Sequence, residues 1–208
     1  MRTGSTVFVV DDEEAICDSV AQQLRSVGKA IRTYSDPPRL LEELGPGHAG
    51  CIIIDVRMPG MSGLDVQRAL NERRCAMPLI FITGHGDVPM AVEAMRNGAF
   101  DFLQKPFNDD DLIRRVQKAL EQDARDRSRL EHIDETRRRW QALTAREREI
   151  GDRLVDGAAN KVIALDLEIS ERTVELHRAR VMQKMEARSL AQLVQMVLSL
   201  RHGAAGTK

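Results

Sequence analysis

Cys51-Ile-Ile-Ile-Asp55-Val-Arg57-Met-Pro-Gly60-Met-Ser-Gly63 is an apolar run that ends on a carboxylate and then on a Pro-Gly turn. Continuous apolarity, without alternation, fits a strand covered on both faces, as in a parallel sheet. The pattern recurs on either side. Upstream, Val7–Val10 runs into Asp11-Asp12-Glu13-Glu14, and a weaker apolar run covers Ile31–Tyr34. Downstream, Leu79–Thr83 runs into Gly84, and Phe100–Leu103 runs into Gln104-Lys105-Pro106. Helix-period stretches lie between these runs, near 14–27, 37–44, 63–73 and 88–96, and another starts at 109. Repeated strand–helix units over residues 1–120 predict a doubly wound α/β domain with a five-stranded parallel sheet.

The whole chain has 208 residues, 42% of them hydrophobic, enough to bury a core and too many for a disordered chain. No apolar run approaches the ~18 residues of a membrane span, and the short apolar stretch after Met1 is not expected to be a secretory signal. Cys17, Cys51 and Cys75 are odd in number and lack metal-type spacing, so buried thiols are expected. All seven prolines lie at or before Pro106, and no glycine falls between Gly98 and Gly151. The rest of the chain therefore reads as helical. Charge divides too: residues 1–120 carry 14 basic and 17 acidic groups, residues 121–140 six of each, and residues 141–208 carry 11 and 9. An acidic first part and a slightly basic last part point to different partners.

In a doubly wound sheet, chemistry sits outside the carboxyl ends of the strands. Asp11, Asp12, Asp55, Thr83 and Lys105 all fall there. If the first and third strands are neighbours, three carboxylates converge and repel unless a cation joins them. An all-oxygen set with room for water suits Mg²⁺. With the lysine and the hydroxyl, the group forms a pocket for accepting a phosphoryl group, a transfer governed by positioning and charge neutralisation. Taken singly, each residue has an ordinary explanation: helix-start acids, a turn aspartate, a cap, a loop lysine. Together, in this order at four strand ends, they are hard to obtain by chance. His85 reads as a loop residue, not a ligand.

Val9-Val10-Asp11-Asp12, Asp55 through Gly63, Ile82-Thr83-Gly84 and Phe102-Leu-Gln-Lys105-Pro106-Phe107 resemble the receiver domains of response regulators, over about residues 5–120. That resemblance implies a flavodoxin-like fold with Asp55 as phosphoacceptor. Asp11 and Asp12 would be the acidic Mg²⁺ residues, and the backbone carbonyl of Arg57 a further ligand. Thr83 and Lys105 would contact the phosphoryl oxygens, and Thr83 and Phe102 would act as the switch pair. Gly84 stands where many members carry alanine.

Beyond residue 140 only helix patterns occur. Thr144-Ala-Arg-Glu147 is a capping box for a first helix ending near Gly157, with Gly151 inside it at a cost of ~1 kcal/mol relative to alanine. Asn160 opens a short second helix, Lys161–Leu167. After a turn at Glu168-Ile169-Ser170, Ser170 caps a third helix to about Lys184. Ser189-Leu-Ala-Gln192 reads as another capping box, for a fourth helix. Helix, tight turn, helix is the helix-turn-helix pattern. On the third helix Val174, Val181 and Met185 form a core face, with His177 and Arg178 at its edges. Arg172, Glu175, Leu176, Ala179 and Gln183 lie opposite. Exposed Leu176 and Ala179 suit thymine methyls, and Glu175 a cytosine amine. A plain helical bundle with stray apolar surface residues fits the same spacing.

Leu143-Thr-Ala-Arg-Glu-Arg-Glu, Asn160-Lys-Val-Ile-Ala164, Ile169-Ser-Glu-Arg-Thr-Val174, His177-Arg178 and Met182-Gln-Lys184 resemble the LuxR-type DNA-binding domain, and the whole chain resembles the FixJ-like regulators. Lys161, Thr173, His177 and Arg178 would then touch phosphates or groove edges. Gly151 stands where a larger residue is usual. Between the two parts, Asp109–Arg139 contains no helix breaker and could run as one helix of ~46 Å. Leu112, Val116, Ala119, Asp123, Asp126, Leu130, Ile133, Arg137 and Trp140 follow a weak heptad spacing. A solvated helix with i,i+4 ion pairs explains 121–129 better. A pairing contact is expected near 130–140.

The resulting expectation is a receiver domain at 1–120, a charged helical linker at 121–140 and an all-α four-helix DNA-binding domain at 141–208. A sensor histidine kinase would phosphorylate Asp55. The protein would be a Mg²⁺-dependent phosphoacceptor and not a dedicated enzyme. Phosphorylation would drive homodimerisation through the face built from residues 88–120. The dimer would bind double-stranded promoter DNA and act on RNA polymerase, in the cytoplasm and away from the membrane. An Asp-x-Asp phosphohydrolase is excluded by Arg57 at the second acid position. The absence of RNA-binding platforms argues against an antiterminator, and the lack of a phosphate-binding Gly-rich loop excludes an ATPase output.

Overall fold

The computed structural model describes residues 4–84 and 88–205, the side chains of the last four excepted. His85 lies outside the described residues. By internal contacts the chain divides into two units, residues 1–126 and 127–208.

In the first unit, β1 (Thr6–Val10), β2 (Ala30–Tyr34), β3 (Gly50–Asp55), β4 (Leu79–Thr83) and β5 (Asp101–Gln104) form one parallel sheet in the order β2-β1-β3-β4-β5. The three inner strands are the continuous apolar runs. The edge strands β2 and β5 are only partly covered, which explains the weaker signal of Ile31–Tyr34. The expected five-stranded doubly wound sheet is borne out. Its strand bounds shift by a residue where the apolar run and the ladder do not coincide, as at Asp101–Gln104 in place of Phe100–Leu103.

Alternate strand residues feed two cores. Phe8, Val10, Ile52, Ile54 and Phe81 pack with residues of α2 (Pro37–Glu43), α3 (Gly63–Glu72) and α4 (Val88–Arg96). Val7, Val9, Cys51, Ile53 and Ile80 pack with α1 (Glu14–Gln23) and with the start of α5 (Asp109–Gln141). The helix expected over 14–27 stops at Gln23 and tightens into a 3₁₀ turn over Leu24–Val27, closed by Gly28 at φ 67°. All three cysteines are buried free thiols, and burial pushes the Cys51 thiol up to about 12.

α5 corrects the heptad reading. Its first seam residues, Leu112, Val116 and Ala119, are fully buried in the receiver core. Asp123 is also buried, and its Oδ2 accepts the backbone N–H of Gly50 at 3.0 Å. Trp140, at the far end, belongs to the core of the second unit. A seam of nine residues is thus largely spent inside two separate cores. Between them Asp126, Leu130 (55%) and Arg137 stay exposed.

The second unit holds the end of α5, then α6 (Ala145–Val155), α7 (Asn160–Asp166), α8 (Glu171–Met185) and α9 (Leu190–Ala205). Thr144 and Glu147 form the expected capping box. Ala159, not Asn160, caps α7, which ends at Asp166. At α9 only half of the expected box forms. Gln192 donates its N–H to Ser189 Oγ, but its side chain reaches back to the N–H of Arg188.

Candidate phosphoacceptor site and nucleic-acid interface

β1 and β3 are adjacent, with Val10 opposite Ile54, so Asp11 and Asp55 emerge side by side at the same sheet edge. β4 and β5 bring Thr83 level with Gln104, and the N–H of Lys105 donates to the carbonyl of Thr83 at 2.7 Å. Lys105 Nζ then reaches both acids, at 3.0 Å from Asp11 Oδ2 and 3.1 Å from Asp55 Oδ1. The second oxygen of Asp55 accepts the N–H of Arg57 at 2.7 Å, and Asp11 Oδ1 accepts the N–H of Glu13 at 3.0 Å. Burial works against the Lys105 charge. The two carboxylates more than offset it and hold the ammonium's pKa above its ordinary value.

Gly63 brings α3 against this edge. A Cβ there would lie 2.4 Å from the carbonyl oxygen of Asp55 and 2.9 Å from the Phe81 ring, so only glycine permits the approach. Nothing local in the sequence marks this role of Gly63, since Phe81 lies farther along the chain, on β4. Thr83 is buried, and Phe102 is half-buried with its ring 6.4 Å from that of Phe81. Arg57 is exposed, its guanidinium 4.0 Å from Met90 Sδ on α4.

Asp11, Asp55, Lys105 and Thr83 are therefore gathered at one edge. Asp12 follows Asp11 but is exposed, and among the described residues no three acidic, His or Cys side chains stand at metal-binding distance from one another. The donor chemistry is nevertheless all oxygen, as a hard cation requires.

The second unit presents α7, a turn and α8. Val174, Val181 and Met185 are fully buried, as the helical wheel required. Arg172, Glu175, Leu176 and Ala179 are exposed, with Leu176 at 52%, and Lys161 is exposed on α7. Thr173, His177 and Arg178 are half-buried along the edge. Thr173 is fixed to the cap: its N–H donates to Ser170 Oγ at 3.1 Å, and the two hydroxyls lie 2.8 Å apart. Arg178 donates to Asn160 Oδ1 at 3.3 Å, tying the two helices together. The far end of α8 is held by Glu147, which accepts from Lys184 Nζ at 2.7 Å and from the N–H of Thr144 at 2.8 Å. The Lys184 and Thr144 hydrogen bonds lower the Glu147 carboxyl to about 2. The sequence showed Glu147 as a cap alone. Its second partner lies 37 residues away.

A doubly wound sheet with paired acids and a lysine at its carboxyl edge, joined to a helix-turn-helix unit, defines a phosphoacceptor regulator. Residues 7–117 match the response regulator receiver domain family, and residues 141–197 match the luxR family of bacterial regulatory proteins. The transcriptional regulatory protein FixJ of Azorhizobium caulinodans is 47% identical over 192 residues, covering 92% of this chain and 91% of that protein. The response regulator protein TmoT of Ectopseudomonas mendocina is 40% identical, covering 95% and 90%. The solved structure of the response regulator StyR matches with a TM-score of 0.83 at 40% identity, covering 94% of this chain and 98% of that one. The chain belongs to the response regulators of two-component systems, in the FixJ-like group that couples a receiver to a LuxR-type domain. It regulates transcription in response to phosphorylation, and its two domains imply a histidine kinase partner and binding to DNA. No helix among the described residues is long and apolar enough to cross a membrane.

Proposed function

We propose that Asp55 is the phosphoacceptor. The observation that carries this reading is the single ammonium of Lys105 shared between Asp11 and Asp55. An Asp55 carboxylate oxygen attacks the phosphorus of the kinase's phosphohistidine. The P–O bond forms, the P–N bond breaks, and its electron pair returns to the imidazole. Lys105 and the Thr83 hydroxyl then hold the phosphoryl oxygens. Receiver domains use Mg²⁺ in this transfer, and here Asp11, Asp12, Asp55 and the carbonyl of Arg57 would hold it. Bound there, the ion would supply charge neutralisation between the carboxylates and the incoming phosphoryl group.

Thr83 and Phe102 form the switch pair, Thr83 ending β4 beside Lys105 and Phe102 on β5 packed against the core that α4 shares. That helix exposes Val88 (70%), Val92 (44%) and Met95 (47%) along one side, an apolar surface suited to dimerisation on phosphorylation. The dimer presents two copies of α8 to a two-fold operator. Arg172, Glu175, Leu176 and Ala179 face base edges, and Lys161, Thr173, His177 and Arg178 the backbone. The division of labour is a receiver at 1–120, a linker at 121–140 and a DNA-binding domain at 141–208. The protein is a phosphoacceptor regulator of the cytoplasm and not a dedicated enzyme.

The test is incubation with acetyl phosphate and Mg²⁺. Intact mass should show one added phosphoryl group, lost in Asp55→Asn and in EDTA and restored by excess Mg²⁺. Full labelling of Asp55→Asn would overturn the assignment.

A further inference from the structure

α7 buries Ile163 and Ala164 in the core of its unit and turns Val162 and Leu165 outward. Leu165 is 79% exposed, more than any other large hydrophobic residue described, and Val162 is 49% exposed. Three residues apart, they share one helix face. Lys161, Glu168, Ile169 and Glu171 join them in lining an open concavity over that face. Lys161 stands in the first turn of α7, and Glu168 and Glu171 follow its last turn. All three are exposed, and among the described residues none has an ion-pair partner, whereas Asp166 pairs with Arg153 at 3.9 Å.

A cation at one end and two carboxylates at the other make this face complementary to itself. A two-fold axis crossing α7 near Leu165 reverses the helix direction in a second copy. Leu165 of each copy then packs on that of the other, and each Lys161 lies against Glu168 and Glu171 of the other. Both contacts form twice, and the matched potentials fix the register. DNA suits only one part of the face. The Lys161 ammonium can hold a phosphate, but Glu168 and Glu171 repel the backbone, and a phosphate leaves Val162 and Leu165 in water. An ammonium held by two carboxylates is withdrawn from phosphate, so the pair and the DNA contact exclude each other. The face is one seven-residue helix and its turn, small against the ~800 Å² per partner of a standard interface. The pair is therefore weak and gives way to DNA.

We propose that DNA-free copies of this chain pair through the Val162–Leu165 face of α7, with Lys161 of each against Glu168 and Glu171 of the other, and that this pairing masks Lys161 from DNA. The masking, but not the pairing, rests on the phosphate contact assigned to Lys161 above.

The experiment uses the full-length unphosphorylated chain, in which the receiver face proposed for phosphorylation-driven dimerisation is idle. Sedimentation over a concentration series should show a reversible dimer. Leu165→Ser should raise its dissociation constant at least about tenfold. Lys161→Glu and the double variant Glu168→Lys/Glu171→Lys should each fail to pair alone, because each opposes like charges. Mixed in equal amounts they should pair with each other. In a mixture of heavy-isotope-labelled and unlabelled wild-type chains, a carbodiimide should join Lys161 to Glu168 or Glu171 between one labelled and one unlabelled peptide. That link should disappear once duplex DNA is bound. A monomer at every concentration, a dimer indifferent to Leu165→Ser, or charge variants that do not pair on mixing overturns the pairing. Links that persist in the DNA-bound chain overturn the masking. A chain that binds no duplex, or a Lys161→Ala variant that binds it as well as the parent, defeats the phosphate contact and the masking and leaves the pairing standing.

Discussion

The indole of Trp140 lies directly on Gly151: a Cβ at that glycine would stand 2.9 Å from Cη2 of the ring and 3.2 Å from Cζ3. Gly151 is buried in α6, and Trp140 closes the end of α5 against the same core. The glycine is the space into which the only tryptophan fits.

Gly151→Ala sets two terms against each other. Alanine gains up to ~1 kcal/mol of helix propensity, and overpacking a filled site costs ~1–3 kcal/mol. Overpacking should win by about 1 kcal/mol, read as a lower urea midpoint followed by Trp140 fluorescence. A more stable variant would show that the ring shifts freely.

Glu147 gives the second unit an acid limit. Its carboxyl falls from 4.5 to about 2 because Lys184 and the N–H of Thr144 hydrogen-bond its charged form. A depressed folded-state pKa contributes stability that is full above the unfolded value and lost as pH falls through the folded one. The contribution should therefore disappear between about pH 4.5 and pH 2. Glu147→Gln should flatten the pH dependence of the Trp140-detected melting temperature in that window. An unchanged profile would locate the acid sensitivity elsewhere.

Asp123 should matter to the receiver although it lies beyond the receiver's last apolar helix residues. Removing it leaves the buried N–H of Gly50 without the carboxylate that accepts it at 3.0 Å, a loss of ~1–3 kcal/mol. Asp123→Ala and a fragment ending at residue 120 should unfold at lower urea than the parent and a fragment ending at 126. Asp123→Asn, which keeps an acceptor, should recover most of the difference.

On α7 and α8 the two classes of proposed contact should separate. Leu176 substitutions should change which base pairs are preferred, by ~1–3 kcal/mol at particular positions. Lys161→Ala should weaken all sequences alike and lower the salt slope by about one phosphate contact. Quantitative binding to a randomised operator at several salt concentrations reads both. Identical behaviour of the two variants would remove α8 from base reading.

The strands were legible because β1, β3 and β4 are buried on both sides and so leave unbroken apolar runs. Asp11, Asp55, Thr83 and Lys105 were legible because each ends a strand or follows one. What the sequence hid depends on partners far along the chain. Asp123 looked like a charged seam position because nothing local marks Gly50 as its partner. Gly151 looked like a weakness because its reason is a ring eleven positions earlier. Asp12 fell with Asp11 in the motif, yet its side chain faces solvent while its neighbour's is buried.

The open middle of α5 has a consequence for how the protein is taken apart. Its two ends are sealed in different cores, but around Asp126 and Leu130 the helix has little apolar cover, and Arg125 and Arg129 are exposed beside them. Helical backbone of this kind opens locally at far lower cost than the cores that flank it. A trypsin-like protease should therefore find its first substrate there. The primary products are two fragments that outlive the intact chain, each keeping the anchor, Asp123 or Trp140, that its own core needs.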